Sequence, residues 1–253
     1  MRAFGDRLTR IRPRSATDAD GRGKMGAVVD QDVAYAMAGS FLGALHTETV
    51  DQLLNNGVRT EHPAGALLYR DRDTPRCVLV VDGLLRVYMT SPEGRQVTVR
   101  YARPRDVLGV AVLVGGPVDV SVLTLERSCL FSIDARILVN AAHRDGRVAW
   151  AVAQELGRRL YETLQQTAIN AFGTVKQRVA WHLLDLAASR PRSQNRLVAP
   201  VTQQELADAV GSVREVVARV LRELRVAGVV ATSPDSVVIL DPARLHDEAW
   251  PPP

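Results

Sequence analysis

The most specific chemistry in the chain lies in Val-Arg-Glu-Val-Val-Ala-Arg, residues 213–219, where Arg214, Glu215 and Arg219 stand close together. On a helix, Arg214 and Arg219 flank one outward surface with Glu215 between them. A guanidinium can donate two hydrogen bonds to O6 and N7 of guanine, and a carboxylate can accept from N4 of cytosine. Each such pairing discriminates between bases by ~1–3 kcal/mol. The plain alternative is a solvated, salt-bridged helix face. Exposed ion pairs contribute little to stability, so an outward glutamate between two arginines points to reading of base edges. Arg222 and Arg225 follow further along, where phosphate or solvent contact is expected.

The flanking residues supply the elements that would hold this trio. Thr202 can cap a helix, and Glu205, three residues on, completes a capping box. Leu206 and Val210 face inward at i, i+4, and Ala207 is small where two helices cross. Gly211 suits the left-handed residue that ends a helix. A second helix from about Val213 would bury Val216 or Val217, then Val220, Leu221 and Leu224. Together these spell a helix-turn-helix, whose second helix offers its N-terminal half to the major groove. A plain helical hairpin is the competing form. After it, Gly228–Thr232 and Val237–Leu240 flank Ser-Pro-Asp-Ser, a β-hairpin that makes the module a winged helix. Its wing can contact backbone phosphate.

Upstream, the texture is different. From Val58 to Ile133, short apolar runs (67–69, 77–81, 84–88, 97–101, 118–125, 129–133) alternate with turn signals such as Asp82-Gly83 and Ser91-Pro92-Glu93-Gly94. That spacing implies an antiparallel sandwich or roll. Residues 31–56 read as one or two short helices. Residues 146–171 lack proline and repeat Ala149, Ala153, Leu156, Leu160, Leu164 and Ala168 at threes and fours. A long helix with so narrow an apolar seam favours pairing with a second copy over packing on its own sheet. Phe172-Gly173 reads as a hinge, and 174–189 as an amphipathic helix on Val175, Val179, Leu183, Leu186 and Ala187. The fold class is therefore α+β. The expected divisions are a basic tail over 1–30, a sensor-like β-roll over 31–145, a dimerisation helix and hinge over 146–172, a winged helix-turn-helix over 173–247 and a Pro-rich tail over 248–253.

Composition narrows the function classes. With 46% hydrophobic and 24% charged residues, the chain is ordinary globular material and can bury a core. No apolar run approaches the ~18–20 residues of a membrane helix, and no secretory leader is evident, so the cytoplasm is the expected compartment. The net charge of +4 equals the excess over residues 1–24, which hold seven basic and three acidic side chains. The body is thus neutral, and only local charge placement can argue for nucleic acid. The tail itself reads as solvated, with phosphate contact as the alternative. Phosphate-cradling Gly-rich loops, His-Glu-x-x-His and Gly-x-Ser-x-Gly are missing from the sequence. No catalytic residue, metal ligand or cofactor is expected. Cys77 and Cys129 sit in apolar strands and read as core. Haem ligation by Cys77 or by His46, His62 or His143 is the open alternative.

The order β-roll, long helix, hinge and winged helix resembles the Crp/Fnr family of bacterial transcription regulators across roughly residues 40–245. The similarity is carried by residues 81–88, 91–99, 158–160 and 171–172, and most specifically by 202–219. Arg-Glu-x-x-x-Arg matches members similar to the cyclic-AMP receptor protein. The resemblance implies that Arg214, Glu215 and Arg219 read a TGTGA half-site, with Thr202, Gln203, Ser212 and Arg222 on the DNA backbone. It also implies a two-fold dimer along Ala149, Ala153, Leu156, Leu160 and Leu164, and double-stranded DNA and RNA polymerase as partners. The sensor domain departs from the family pattern. Cyclic-nucleotide-binding members carry Gly-Glu and, about ten residues on, Arg-Ser. Here Gly109 and Ser121 remain, but Val110 stands in place of the glutamate and Val120 in place of the arginine. Leu164 falls where a polar residue would meet the adenine. An anionic phosphate buried without a cation is strongly unfavourable, so cyclic AMP is not expected to bind in the usual mode. The pocket, with Val112 added to its lining, is expected to be vestigial or to take an apolar effector. A second reading of function stays open: a small-molecule or protein-partner-binding module whose winged helix contacts protein.

Overall fold

The computed structural model describes residues 30–69, 77–94, 96–116, 119–188 and 197–249. The arm expected over residues 1–30 lies outside them except for Asp30. Residues 190–196 and 250–253 also lie outside. Asp30 caps α1 (Gln31–Ala38) by accepting from the Asp32 N–H. A 3₁₀ turn at Phe41–Ala44 and α2 (Thr47–Asn56) complete the N-terminal helices.

Two antiparallel four-stranded sheets follow. The first has the order β1-β8-β3-β6, built from Val58–His62, Ser128–Ile133, Cys77–Asp82 and Val107–Leu108. The second has the order β2-β7-β4-β5, built from Leu67–Tyr69, Ser121–Thr124, Leu85–Thr90 and Gln96–Ala102. Side-chain alternation along the strands decides what each face meets. Val78 and Val80 point between the sheets with Leu85, Val87, Ala102, Val122 and Leu130. Cys77 and Leu79, on the opposite face of β3, pack with Phe131 and Ile133 against the helices. Gly83 turns the chain from β3 to β4 at φ +100°, and a Cβ there would lie 2.7 Å from the Ser128 Cα, so glycine is required. Strands β1 and β6, the short α3 (Val110–Gly115) and α4 (Ala135–Arg144) join the elements expected from sequence.

The long helix α5 runs from Gly146 to Phe172 and spans about 40 Å. Asp145 caps it by accepting from the Arg147 N–H. Val148, Ala151 and Val152 bury its inner face against the N-terminal helices. Lower down, Glu155 accepts from Arg158 and Arg159, and Arg159 reaches Asp106 in the loop after β5 at 2.6 Å. Burial alone would raise the Asp106 pKa, but the Arg159 and Arg100 guanidiniums outweigh it and hold the carboxyl below the usual carboxylate range. The outer face carries the seam read from the sequence. Ala149 and Ala153 are exposed, and Leu160 and Leu164 are 58% and 54% exposed. Leu156 is half-buried against the helical core. The helix thus packs on its own roll with one face and leaves an apolar stripe open on the other.

The C-terminal module begins with α6 (Val175–Ala187), started by a Thr174–Gln177 capping box. It continues through β9 (Leu197–Ala199), α7 (Gln203–Val210), α8 (Arg214–Val226), β10 (Val230–Thr232), β11 (Val237–Ile239) and α9 (Pro242–Ala249). The wing is a three-stranded sheet, β10-β11-β9, rather than a lone hairpin. Glu248 and Ala249 close α9 instead of opening a Pro-rich tail, and Ala249 is buried. The module docks on the outer face of the second sheet, where Leu84 and Tyr101 join its core. The Tyr101 hydroxyl meets His182 Nδ1 at 3.1 Å, and Arg103 donates to the Asp185 carboxylate and carbonyl.

Candidate nucleic-acid interface

The first helix of the reading pair is built as its sequence implies. Thr202 Oγ1 accepts from the Glu205 N–H at 3.2 Å, and Glu205 Oε2 accepts from the Thr202 N–H at 2.8 Å. Two of the donors that a helix start leaves unpaired are thereby satisfied. The Thr202 hydroxyl keeps its own proton available to a phosphate oxygen. Leu206, Ala207, Ala209 and Val210 are buried. Gly211 then takes the left-handed conformation at φ +63°, ψ 41°, and the Ser212 N–H returns to the Ala207 carbonyl at 3.0 Å. Gln203 and Ser212 are half-buried beside this turn.

Helix α8 is strongly two-faced. Val217, Val220, Leu221 and Leu224 are buried, and Val217 rather than Val216 takes the first core position. Arg214, Glu215, Arg219, Arg222 and Arg225 are all exposed on the other side. Among the described residues, no hydrogen bond or ion pair engages the side chains of Arg214, Glu215, Arg219 or Arg222. The contrast lies on α5, where Arg158 and Arg159 are both tied to Glu155 and Glu162. A salt-bridged solvent face therefore does not describe the start of α8. Its side chains stand with donors and acceptors uncommitted, as a surface must that exchanges water for base edges.

The residues assigned to an effector pocket are dispersed. Gly109 holds φ +83° ahead of α3, and Val110 is buried in the helical core with Val33 and Leu138. Val120 packs against the core between the sheets, and Ser121 opens β7 opposite Tyr88. Val112 is half-buried, and Leu164 lies on the outward face of α5. The structure thus brings Val110 and Val120 into different clusters. Both cysteines are buried, and burial pushes the Cys77 thiol up to about 12, which keeps it protonated.

One group of residues at the module junction was not legible beforehand. His182 is fully buried against Tyr101, and burial, reinforced by Arg86 and Arg178, pushes its pKa down to about 3. It is therefore a neutral imidazole sharing one hydrogen bond with a phenol. Its position within the apolar stripe of α6 was the one available signal.

Comparison with known proteins agrees with this geometry. Residues 177–248 match the Crp-like helix-turn-helix domain, and residues 59–145 match the cyclic nucleotide-binding domain. The transcriptional regulator LdrP of Thermus thermophilus is 33% identical over 171 residues, covering 66% of this chain and 84% of LdrP. The CRP-like cAMP-activated global transcriptional regulator of Mycobacterium tuberculosis is 26% identical over 223 residues, covering 86% of this chain and 99% of that protein. A crystal structure of a CRP-family transcriptional regulator from Thermus thermophilus superposes with a TM-score of 0.65 at 27% identity, covering 75% of this chain and 96% of that one. With a cyclic-nucleotide-binding-type roll, a long helix and a winged helix-turn-helix in one chain, the protein belongs to the Crp/Fnr family of transcription regulators and is not an enzyme.

Proposed function

We propose that the protein is a homodimeric, sequence-specific DNA-binding regulator that reads a TGTGA-like pseudo-palindrome and is not controlled by cyclic AMP in the usual mode. The observation that carries this reading is the exposed, unpaired trio Arg214, Glu215 and Arg219 at the start of a buried-backed helix. The arginines take guanine O6 and N7, and the glutamate takes cytosine N4. Thr202, Gln203, Ser212 and Arg222 hold backbone phosphates and set the register.

The open apolar stripe of α5 supports pairing with a second copy, which places two recognition helices on two half-sites. In this reading, residues 31–145 are the sensor-like unit, 146–172 the dimer helix and hinge, and 173 onward the DNA-binding module. Valines at positions 110 and 120, where a ribose-binding carboxylate and a phosphate-binding cation are required, argue against a cyclic nucleotide. RNA polymerase is the downstream partner, and the cytoplasm is the place of action. The test is a mobility shift of a TGTGA-N6-TCACA duplex by the purified chain with no added effector. A specific complex supports the reading. No specific shift at moderate salt, with Arg214→Ala behaving as wild type, refutes it. Micromolar affinity for cyclic AMP by titration calorimetry refutes the effector part alone.

A further inference from the structure

The residue that opens the recognition helix is wrong for opening a helix. Val213 is its N-cap, in an extended conformation at φ −98°, ψ 150°, and no side chain caps the helix there. Serine, threonine, aspartate and asparagine are the stabilising choices at this position, and valine is among the poorest. The same module caps α6 and α7 with complete boxes from Thr174 and Thr202. Only at α8 of these three is the cap given up.

Packing does not compensate, because the Val213 side chain is 58% exposed and belongs to no core cluster. A β-branched apolar group is thus shown to water, next to Arg214, at a cost in local stability. Where a local rule is broken with no structural gain, a functional demand is the expected cause. The major groove displays one apolar group that such a side chain can recognise, the C5-methyl of thymine. We propose that Val213 is a specificity-determining residue whose methyl groups contact the C5-methyl of a thymine neighbouring the guanine read by Arg214. The inference rests on the reading of base edges by this helix and extends it from hydrogen bonds to apolar contact. A serine would cap the helix better and would lose this contact.

The test uses the full chain and the TGTGA-N6-TCACA duplex, or the consensus that wild type selects from random duplexes. Each half-site thymine, on either strand, is replaced in turn by deoxyuridine, which lacks only the methyl. At one position the replacement should weaken wild-type binding about 4-fold, the ~0.8 kcal/mol of one buried methyl at 1.4 kcal/mol per tenfold. Val213→Ala and Val213→Ser should bind the thymine and deoxyuridine duplexes equally well at that position. Val213→Ser should also melt at a higher temperature than wild type, which separates lost contact from lost structure. The inference is overturned if no replacement weakens wild type, or if Val213→Ala retains the full penalty. Failure of wild type to select any consensus overturns the base-reading trio and this inference with it, whereas a consensus without methyl dependence overturns this inference alone.

Discussion

Single side chains decide whether α8 reads sequence or merely attracts phosphate. Arg214 and Arg219 are exposed, lack an intramolecular acceptor among the described residues, and flank Glu215. Truncating either to alanine should cost ~1–3 kcal/mol of specific affinity and relax base preference at one position of each half-site. Arg222→Ala should instead weaken binding to all sequences alike and reduce the salt dependence by about one counterion. Binding measured on specific and scrambled duplexes across salt concentrations separates the two behaviours. Equal losses on both duplexes for Arg214→Ala would assign that arginine to phosphate. None of these substitutions should unfold the protein, because the core side chains of α8 are Val217, Val220, Leu221 and Leu224.

The long helix illustrates how two faces of one element serve two tasks. Val148, Ala151 and Val152 fix it to the roll, while Leu160 and Leu164 face solvent. Burying a leucine stabilises by roughly 1.5–3 kcal/mol, so a paired copy gains about that from each. Leu160→Asp with Leu164→Asp should leave the melting of the monomer close to wild type and shift the chain to monomer in sedimentation. A variant that stays dimeric would place the interface elsewhere. Elements with internal signals could be read in advance. The α7 cap, Gly211 and the 3.6-residue pattern of α8 are local, and so is the alternation of Val78 and Val80 with Cys77 and Leu79. Strand β1 could not be read, because Val-Arg-Thr-Glu-His is a mostly polar edge that becomes a strand only by pairing with β8. Helix α9 carried a signal that went unused. Asp241 precedes Pro242, and its carboxylate accepts from the Arg244 N–H at 3.0 Å, a standard helix start. The dispersal of Val110 and Val120 depends on how α3 packs, which spacing along the chain does not encode.

For the molecule as a whole, the junction between roll and C-terminal module is the feature that sequence concealed most fully. Tyr101, His182, Arg103 and Asp185 come from segments about 80 residues apart, and their meeting depends on the tertiary fold. The junction makes stability depend on pH. His182 is held neutral, with its folded pKa near 3 against an ordinary value of 6.5. Above pH 6.5 the folded and unfolded states carry the same charge there. Below it the unfolded chain gains a proton that the folded one refuses, so stability falls by up to ~1.4 kcal/mol per pH unit toward pH 3. Asp106, whose folded pKa is depressed, acts in the same direction, and Asp185, raised by burial, opposes it. The difference between wild type and His182→Gln, followed by melting from pH 7 to pH 4, isolates the histidine and should show a shallower loss in the variant. Parallel curves would mean that His182 is protonated in the fold. The central claim is that two copies of one helix read DNA without a cyclic nucleotide, and selection of bound duplexes from a random pool by purified protein tests it directly. The expected product is a two-fold symmetric consensus with half-sites about 10–10.5 base pairs apart, with a guanine–cytosine pair that degenerates when Arg214 becomes alanine. Recovery of no consensus, or of one unchanged by that substitution, would contradict it.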